Sequence, residues 1–358
     1  MSLLQDFLDL SKHLNQASLD PHKVLRYHPP NQRFKSVVIG LKLPGLPAPL
    51  HYFQFVTVLG LPNSALLHNQ SAIQTTALDT ATVCSSISLH MVGQLNCYSI
   101  AQECQFEFDK LQFGHQHAIS GNLPHLKLSR TDPELSFDID VQTFRQIIYF
   151  AKLRLGLAEH WSLPALCQGS VTYKNQKYQI EGLASFEFAK MVNFPYMPFA
   201  FYIYQIVNFN ADQQMILMQY RDAFNRILYS RIYIRNLHSG GIQFFDDRVQ
   251  LSIDRVYPVV QTPNGDSMYV LREFTWCYCD ETYQIQLQGK CRGDFKFGFG
   301  TGFMGSFCYQ LVINAQYYEG EGGYCEYIDC RALKWQEQNQ TETLLTDLEN
   351  SVPLMLKK

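Results

Sequence analysis

Few side chains in this 358-residue sequence could move a proton at a buried centre. Glu187 lies in Ser185-Phe186-Glu187-Phe188, Glu326 in Gly323-Tyr324-Cys325-Glu326, and His160 opens His160-Trp161-Ser162. A carboxyl, imidazole or phenol in apolar surroundings can act as a general acid or base, because its environment tunes its pKa. Glu187, His160, Tyr324 and Glu326 are therefore the acid–base candidates. Each has a plainer reading. Glu187 and Lys190 are three apart, on opposite faces of a strand, and read as a solvated or interface ion pair worth under about 1 kcal/mol. His160 reads as a structural histidine with its hydrogen bonds satisfied. Tyr324 and Glu326 share a strand face and read as barrel lining.

A second set could grip an apolar ligand: Trp161, Tyr178, Phe186, Tyr220, Arg272, Trp276 and Tyr278. Trp276 and Tyr278 share a strand face with Met268, Val270 and Phe274, and Arg272 stands among them. A buried arginine needs an acceptor. That acceptor is either the acidic head of an amphipathic ligand or an internal partner such as Glu326. Tyr220-Arg221-Asp222 ends a strand, and its charges also read as a turn ion pair.

Other chemistries find no support. The ten cysteines form no Cys-x-x-Cys pair, so a zinc site is not expected. Cys277 and Cys279 read as small packing residues. His115 and His117 share one side but lack an acidic or thiol partner in register. No Gly-x-Ser-x-Gly, phosphate loop or dinucleotide fingerprint occurs. Gly298-Phe299-Gly300-Thr301-Gly302 lacks a following helix and reads as a strand bend. No metal or cofactor is expected. A net charge of -3 without a basic run gives nucleic-acid binding no electrostatic support.

The elements that position these residues are strands. Val171–Tyr173 and Tyr178–Phe188 alternate around the polar turn Lys174-Asn175-Gln176-Lys177. Tyr178, Ile180, Ala184, Phe186 and Phe188 fall on one face, and Gln179, Glu181, Ser185 and Glu187 on the other. The same texture runs from residue 34 to 333, with 25 Phe and 21 Tyr in the chain. Aromatics favour strands and line apolar pockets. The sequence therefore predicts an all-β protein: two antiparallel lipocalin-like barrels in tandem, each with about eight strands and a roomy apolar interior. No direct sequence repeat relates the halves. A helical arm occupies residues 1–30, with Leu3, Leu4, Phe7, Leu8 and Leu14 on one face. The first barrel spans 31–198, ending at Asn193-Phe194-Pro195-Tyr196-Met197-Pro198. The second spans 199–335, and residues 336–358 form a tail with a short helix over 341–348. Residues 142–156 suit either helix or strand. With no signal peptide, no membrane span and free thiols, a cytoplasmic location is expected. The arm has few basic residues, so peripheral membrane contact lacks support. Oligomeric state is not fixed.

Three stretches carry a resemblance. His160-Trp161-Ser162 with Gly169, Tyr178, Ile180, Gly182 and Ala184, the pair of strands in Phe199–Arg221, and Gly323-Tyr324-Cys325-Glu326 resemble motifs of the AttH and carotenoid-hydratase lipocalin-like superfamily. The match runs over residues 160–330, and earlier residues share texture only. The resemblance implies two calycin-type barrels. Two departures stand out. Phe186 occupies the place of a family tryptophan, followed by Glu187 alone. Phe303-Met304-Gly305 replaces Trp-Glu-Gly, removing a carboxylate that would serve as proton donor to an alkene.

The first expectation is a binder of a hydrophobic small molecule such as a lipid or terpenoid. The alternative is a hydratase, isomerase or cyclase acting on such a molecule through Glu187, His160, Tyr324 and Glu326. A purely structural role has no dedicated feature.

Overall fold

The computed structural model of the chain describes residues 9–16, 25–61, 64, 66–194, 197–262, 265, 267–299 and 302–331. Nearly all regular structure is antiparallel strand. The first sheet runs β1 (Ser36–Pro44), β2 (Tyr52–Leu59), β3 (Thr80–Ile87), β4 (Leu95–Ser99), β5 (Cys104–Phe106), β6 (Lys110–Phe113), β7 (His117–Asn122), β8 (His125–Arg130), β9 (Leu135–Thr143), β10 (Ile148–Lys152), β11 (Ala158–Tyr173) and β12 (Gln176–Met191). The second runs β13 (Phe201–Asn208), β14 (Gln213–Arg221), β15 (Ile227–Asn236), β16 (Ile242–Phe245) and β17 (Gln250–Val256). After a two-stranded ribbon, β18 (Val260–Gln261) with β19 (Ser267–Met268), it continues as β20 (Leu271–Cys279), β21 (Gln284–Cys291), β22 (Lys296–Phe299), β23 (Gly302–Ile313) and β24 (Gln316–Asp329).

The strand order in the first sheet is β4-β3-β2-β1-β12-β11-β9-β8-β7-β6-β5, and in the second β16-β15-β14-β13-β24-β23-β21-β20-β17. In both, the two edge strands follow one another in the chain, so a short connection draws the edges together. The first connection is the helix Ile100–Glu103. Across that gap Asn96 donates to the Gln116 side chain, and Tyr98 meets His117 Nδ1 at 3.0 Å. Curling in this way leaves little free edge. The resulting architecture is the expected pair of lipocalin-like barrels.

Period two dictates what each barrel encloses. Leu41, Leu43, Phe53, Phe55, Phe137, Trp161, Phe186 and Phe188 belong to one buried cluster inside the first. Trp276, Phe274, Leu287, Phe307, Leu311 and Tyr327 are buried with the second sheet. Several strand glycines make room for these rings. Phe274 lies directly across from Gly289, and a methyl there would come within 2.0 Å of its ring. The interiors expected to be roomy are instead lined by rings that meet each other, such as Phe53 on Phe137 at 4.9 Å and Phe274 on Phe307 at 5.1 Å.

Two other expectations resolve. Residues 142–156 hold the end of β9, the strand β10 and one 3-10 turn at Arg154–Gly156, not an α-helix. In the N-terminal arm, Ser11–Gln16 is helical and packs against the seam, where Arg231 bonds Asp9 and Ser11. Leu3, Leu4, Phe7, Leu8 and the 336–358 tail lie outside the described residues. All ten cysteines are free thiols. Among the described residues no helix is long and apolar enough to cross a membrane.

Candidate functional site

The chemistry sits on the outer faces of the two barrels, where they pack back to back. In β12, Gln179 and Glu181 face water as expected, yet Ser185 and Glu187 on that same face are buried. The strand is long enough for its second half to pass under the other barrel. In β1, Val38, Gly40 and Lys42 alternate with the core residues Ile39 and Leu41, so they face the same way as Glu187. Opposite them, Tyr202 and Tyr204 on β13 and Tyr324 and Glu326 on β24 alternate with the interior residues Ile203, Gln205, Cys325 and Tyr327. Gln205 accepts from Trp276 inside the second barrel at 2.6 Å. Tyr324 and Glu326 therefore do not line a barrel; they face the seam.

Lys42 is 3% exposed and holds both carboxylates: Nζ lies 2.7 Å from Glu187 Oε2 and 3.0 Å from Glu326 Oε1. It also stands 4.0 Å over the Tyr204 ring. The remaining oxygens are occupied. Tyr202 and Tyr324 each donate to Glu326 at 2.9 Å, and Tyr204 and Ser185 donate to Glu187. From Ser185 a chain continues to Ser162 at 2.7 Å, to which Arg235 donates at 3.0 Å. Arg235, 1% exposed, also bonds Gln214. Two cations and two carboxylates balance, as burial demands.

Burial pushes the Glu187 carboxyl up, but Lys42 and His160 outweigh it and hold it at about 2. Burial likewise opposes the Lys42 ammonium, and the two carboxylates overcome it and raise its pKa. Burial first, and neighbouring Glu187 or Glu326 next, keep Tyr202, Tyr204 and Tyr324 protonated well above the ordinary phenol range. Burial lowers Arg235 to about 10.

One end of this cluster opens into a cavity of about 80 Å³. Lys42, Ser64, Glu187, His160, Tyr202 and Tyr220 contribute its polar groups, and Val38, Leu66, Leu67, Ala189, Met197 and Ile328 its apolar wall. His160 Nε2 lies 3.6 Å from Glu187 Oε2, and its ring meets Phe150 edge-on at 4.7 Å. Of the residues singled out from sequence, His160, Glu187 and Tyr220 line this cavity, with Glu326 and Tyr324 directly behind it. Trp161 and Phe186 pack 6.2 Å apart in the first barrel. Tyr178 packs against that same core. Trp276 is buried inside the second barrel, and Tyr278 donates to Asp280 at a turn.

Several readings are corrected. Glu187 is no solvated partner of Lys190, which instead lies 3.7 Å from Glu159. Arg272 does not meet Glu326. It is half-buried near Glu273 and Tyr257, at the start of β20 where the pairing with β17 shifts register and period two breaks down. The cation at Glu326 is Lys42. Asp222 pairs with Arg226 rather than Arg221, at 2.5 Å. Lys42, Tyr202, Tyr204 and Arg235 escaped the sequence reading. Lys42 had a signal: it is the one charge in the apolar run Ser36–Pro44, and a charge inside a buried strand demands a partner. Among the described residues no group of three or more His, Cys, Asp or Glu is arranged to hold a metal.

The chain belongs to a family of unknown function, DUF6670, which matches residues 56–342. None of the curated proteins matches it in sequence. Among solved structures it is similar to the AttH-like protein NE1406 of Nitrosomonas europaea, with a TM-score of 0.57 and 11% identity over 88% of this chain and 99% of that one. It is also similar to kievitone hydratase of Nectria haematococca, with a TM-score of 0.52 and 11% identity over 85% and 91%. These likenesses establish the fold as the one those two proteins share, the tandem lipocalin-like barrel expected from the sequence.

Proposed function

Within that family of unknown function, we propose that this chain takes a small, largely apolar molecule into the seam between its barrels and acts on it by acid–base chemistry. One observation carries the reading: Lys42, Glu187 and His160 converge on a cavity whose other walls are mostly apolar. A passive container for an apolar guest gains nothing from buried charges, which cost free energy to desolvate. The roles divide by position and charge. Glu187, held at about 2, is a fixed anion and a poor proton donor. His160, on the cavity wall with its Nε2 3.6 Å from Glu187 Oε2, is the group placed to take and return the proton. Glu187 orients the imidazole and stabilises its cationic form, and Lys42 with Glu326 holds Glu187 in place.

The lost family carboxylate bears on this reading. Met304, which stands in its position, is directly across from Glu326 on the neighbouring strand. The seam thus keeps a carboxylate one cross-strand step away. The fold accommodates water addition, since kievitone hydratase is by name a hydratase. The reactions that fit are proton delivery to an alkene, with water or a neighbouring C–H completing the step, and proton removal beside a carbonyl.

The test uses solvent deuterium. The purified chain is incubated in D2O with an apolar extract of the source cells, and compounds are compared by mass. At least one compound should gain deuterium, or deuterium with water, in the presence of the chain and not with His160→Gln. No mass change in any compound, or the same change with His160→Gln, overturns the reading.

A further inference from the structure

One residue of the seam cavity is neither part of the charged cluster nor an apolar wall. Ser64 lines the cavity and is 3% exposed, yet its Oγ has no hydrogen-bond partner. Its backbone carbonyl is occupied, accepting from Leu67 and His68 at 3.1 and 2.8 Å, which pins the residue in the segment that covers the cavity. A buried hydroxyl left unpaired costs about 1–3 kcal/mol, so it is retained where something arrives to pair with it. A second free group lies in the same cavity. Tyr220 packs its ring on Tyr202 at 5.0 Å and Phe199 at 5.1 Å, and its hydroxyl makes no hydrogen bond among the described residues.

We propose that Ser64 and Tyr220 form the specificity-determining polar handle of the seam, binding one oxygen function, an alcohol, phenol or carbonyl, at the end of an otherwise apolar ligand. The charged side chains cannot take that part. Lys42 is engaged by two carboxylates and the Tyr204 ring, and the oxygens of Glu187 are occupied by Lys42, Ser185 and Tyr204. Ser64 and Tyr220 are both neutral hydroxyls that donate or accept. They match a neutral oxygen and offer no charge to a carboxylate or phosphate. The volume sets the rest. A cavity of roughly 150 Å³ holds one benzene, and this one measures about 80 Å³. The cavity is partly open, so it takes the oxygen-bearing edge of a ring or the head of a longer ligand, and the apolar remainder extends outward past Leu66, Leu67 and Met197. This deepens the proposed function, resting on the same cavity but not on its proton chemistry.

Phenol and toluene test it, since they share a shape and differ by hydroxyl against methyl. Their dissociation constants are measured by ligand-observed NMR on the full chain. The wild type should prefer phenol by at least about tenfold, the ratio for one buried polar atom left unpaired. Ser64→Ala combined with Tyr220→Phe should bring the ratio below roughly threefold with toluene binding unchanged, and Ser64→Thr, which keeps the hydroxyl, should restore part of it. A variant that merely loosened the fold would weaken both probes together. Equal binding of the two by the wild type, no binding of either, or an unchanged ratio in the double variant overturns the proposal. The deuterium test reads the proton chemistry, and the phenol–toluene ratio reads binding alone. Loss of deuterium transfer with the ratio preserved, or the reverse, therefore separates failure of the handle from failure of the chemistry.

Discussion

Replacing Lys42 with methionine tests whether the seam is as dry and as ionised as its geometry implies. The substitution keeps the length of the side chain and removes the ammonium. Glu187 and Glu326 then face each other without the ammonium, with only the His160 ring 3.6 Å from Glu187, in a site where their side chains are 4% and 0% exposed. Two routes give the cost. Removing one partner of a buried ion pair typically costs about 3–5 kcal/mol. Alternatively, the Glu187 carboxyl falls from its ordinary 4.5 to about 2 on folding, and each pH unit is worth about 1.4 kcal/mol, giving about 3 kcal/mol for Lys42 and His160 together. The sign is fixed by linkage. In the wild type the folded pKa is depressed, so this stability is present above pH 4.5 and is lost as pH falls toward 2. In Lys42→Met the Glu187 carboxyl loses the main group that opposes the upward push of burial, so the variant is least damaged at acid pH and loses stability as pH climbs to 7. Urea unfolding at pH 5 and pH 7 measures both ends. Lys42→Met should be about 3–5 kcal/mol less stable at pH 7, with a clearly smaller deficit at pH 5. Adding Glu187→Gln and Glu326→Gln should recover most of the loss, because a neutral, hydrogen-bonded replacement leaves no orphaned charge. A loss under about 1 kcal/mol, or one that does not change with pH, refutes the argument.

Three further outcomes follow from the packing. Phe186→Ala should cost about 3–5 kcal/mol in urea unfolding, the range for a buried aromatic, while leaving phenol binding intact, because Phe186 faces the interior of the first barrel and not the seam. His90 and His117 are fully buried, and desolvation, then Arg130, lowers them from the ordinary 6.5 to about 4 and about 3. The unfolded chain binds those protons first, so unfolding free energy should fall as pH drops from 6.5 toward 4, and His117→Gln should flatten that fall. Gly289→Ala should destabilise the chain by well over the few tenths of a kcal/mol of an exposed strand substitution, since the new methyl would press on the packed Phe274 ring. A Gly289→Ala variant with an unchanged urea midpoint would show that ring free to move.

The fold was legible because period two is written into nearly every segment. Leu135–Thr143 shows it in full, buried residues alternating with half-buried or exposed ones along the strand. What alternation could not reveal is which face of a strand meets a second layer. Glu187 belongs by periodicity to the wet face with Gln179 and Glu181, and only the approach of β13 and β24 dries it. Lys42 was hidden for the same reason: its face has no partner until the second barrel is placed. Trp161, Phe186 and Trp276 look like a ligand cage in sequence, since aromatics line pockets and pack cores alike. The rings they meet decide between the two, and those rings come from strands far away in the chain. Arg272 was misplaced because strand position alone does not say where burial ends along an edge.

The shared topology explains why the charges meet where they do. In both barrels a four-strand meander leads outward and the final strand returns beside the first, pairing β12 with β1 and β24 with β13. Glu187 lies on one returning strand and Glu326 on the other. Each has an apolar residue before and after it, in Phe186-Glu187-Phe188 and Cys325-Glu326-Tyr327, so each turns a lone carboxylate outward from a greasy strand. When the two barrels pack through these strands, the carboxylates come together and must share a cation. Lys42 on β1 supplies it, while the corresponding strand β13 offers Tyr202 and Tyr204. The halves thus repeat in strand order, though no direct repeat shows between their sequences, and the difference between them is concentrated at the seam. A perfectly repeated chain would bring two lysines or none to the two carboxylates. One lysine on one side makes the seam asymmetric. His160, on a strand of the first barrel that flanks β12, then has a cavity on one side and a fixed anion on the other. That asymmetry would give a molecule held in the seam a single orientation, as the proposed acid–base chemistry at one atom requires.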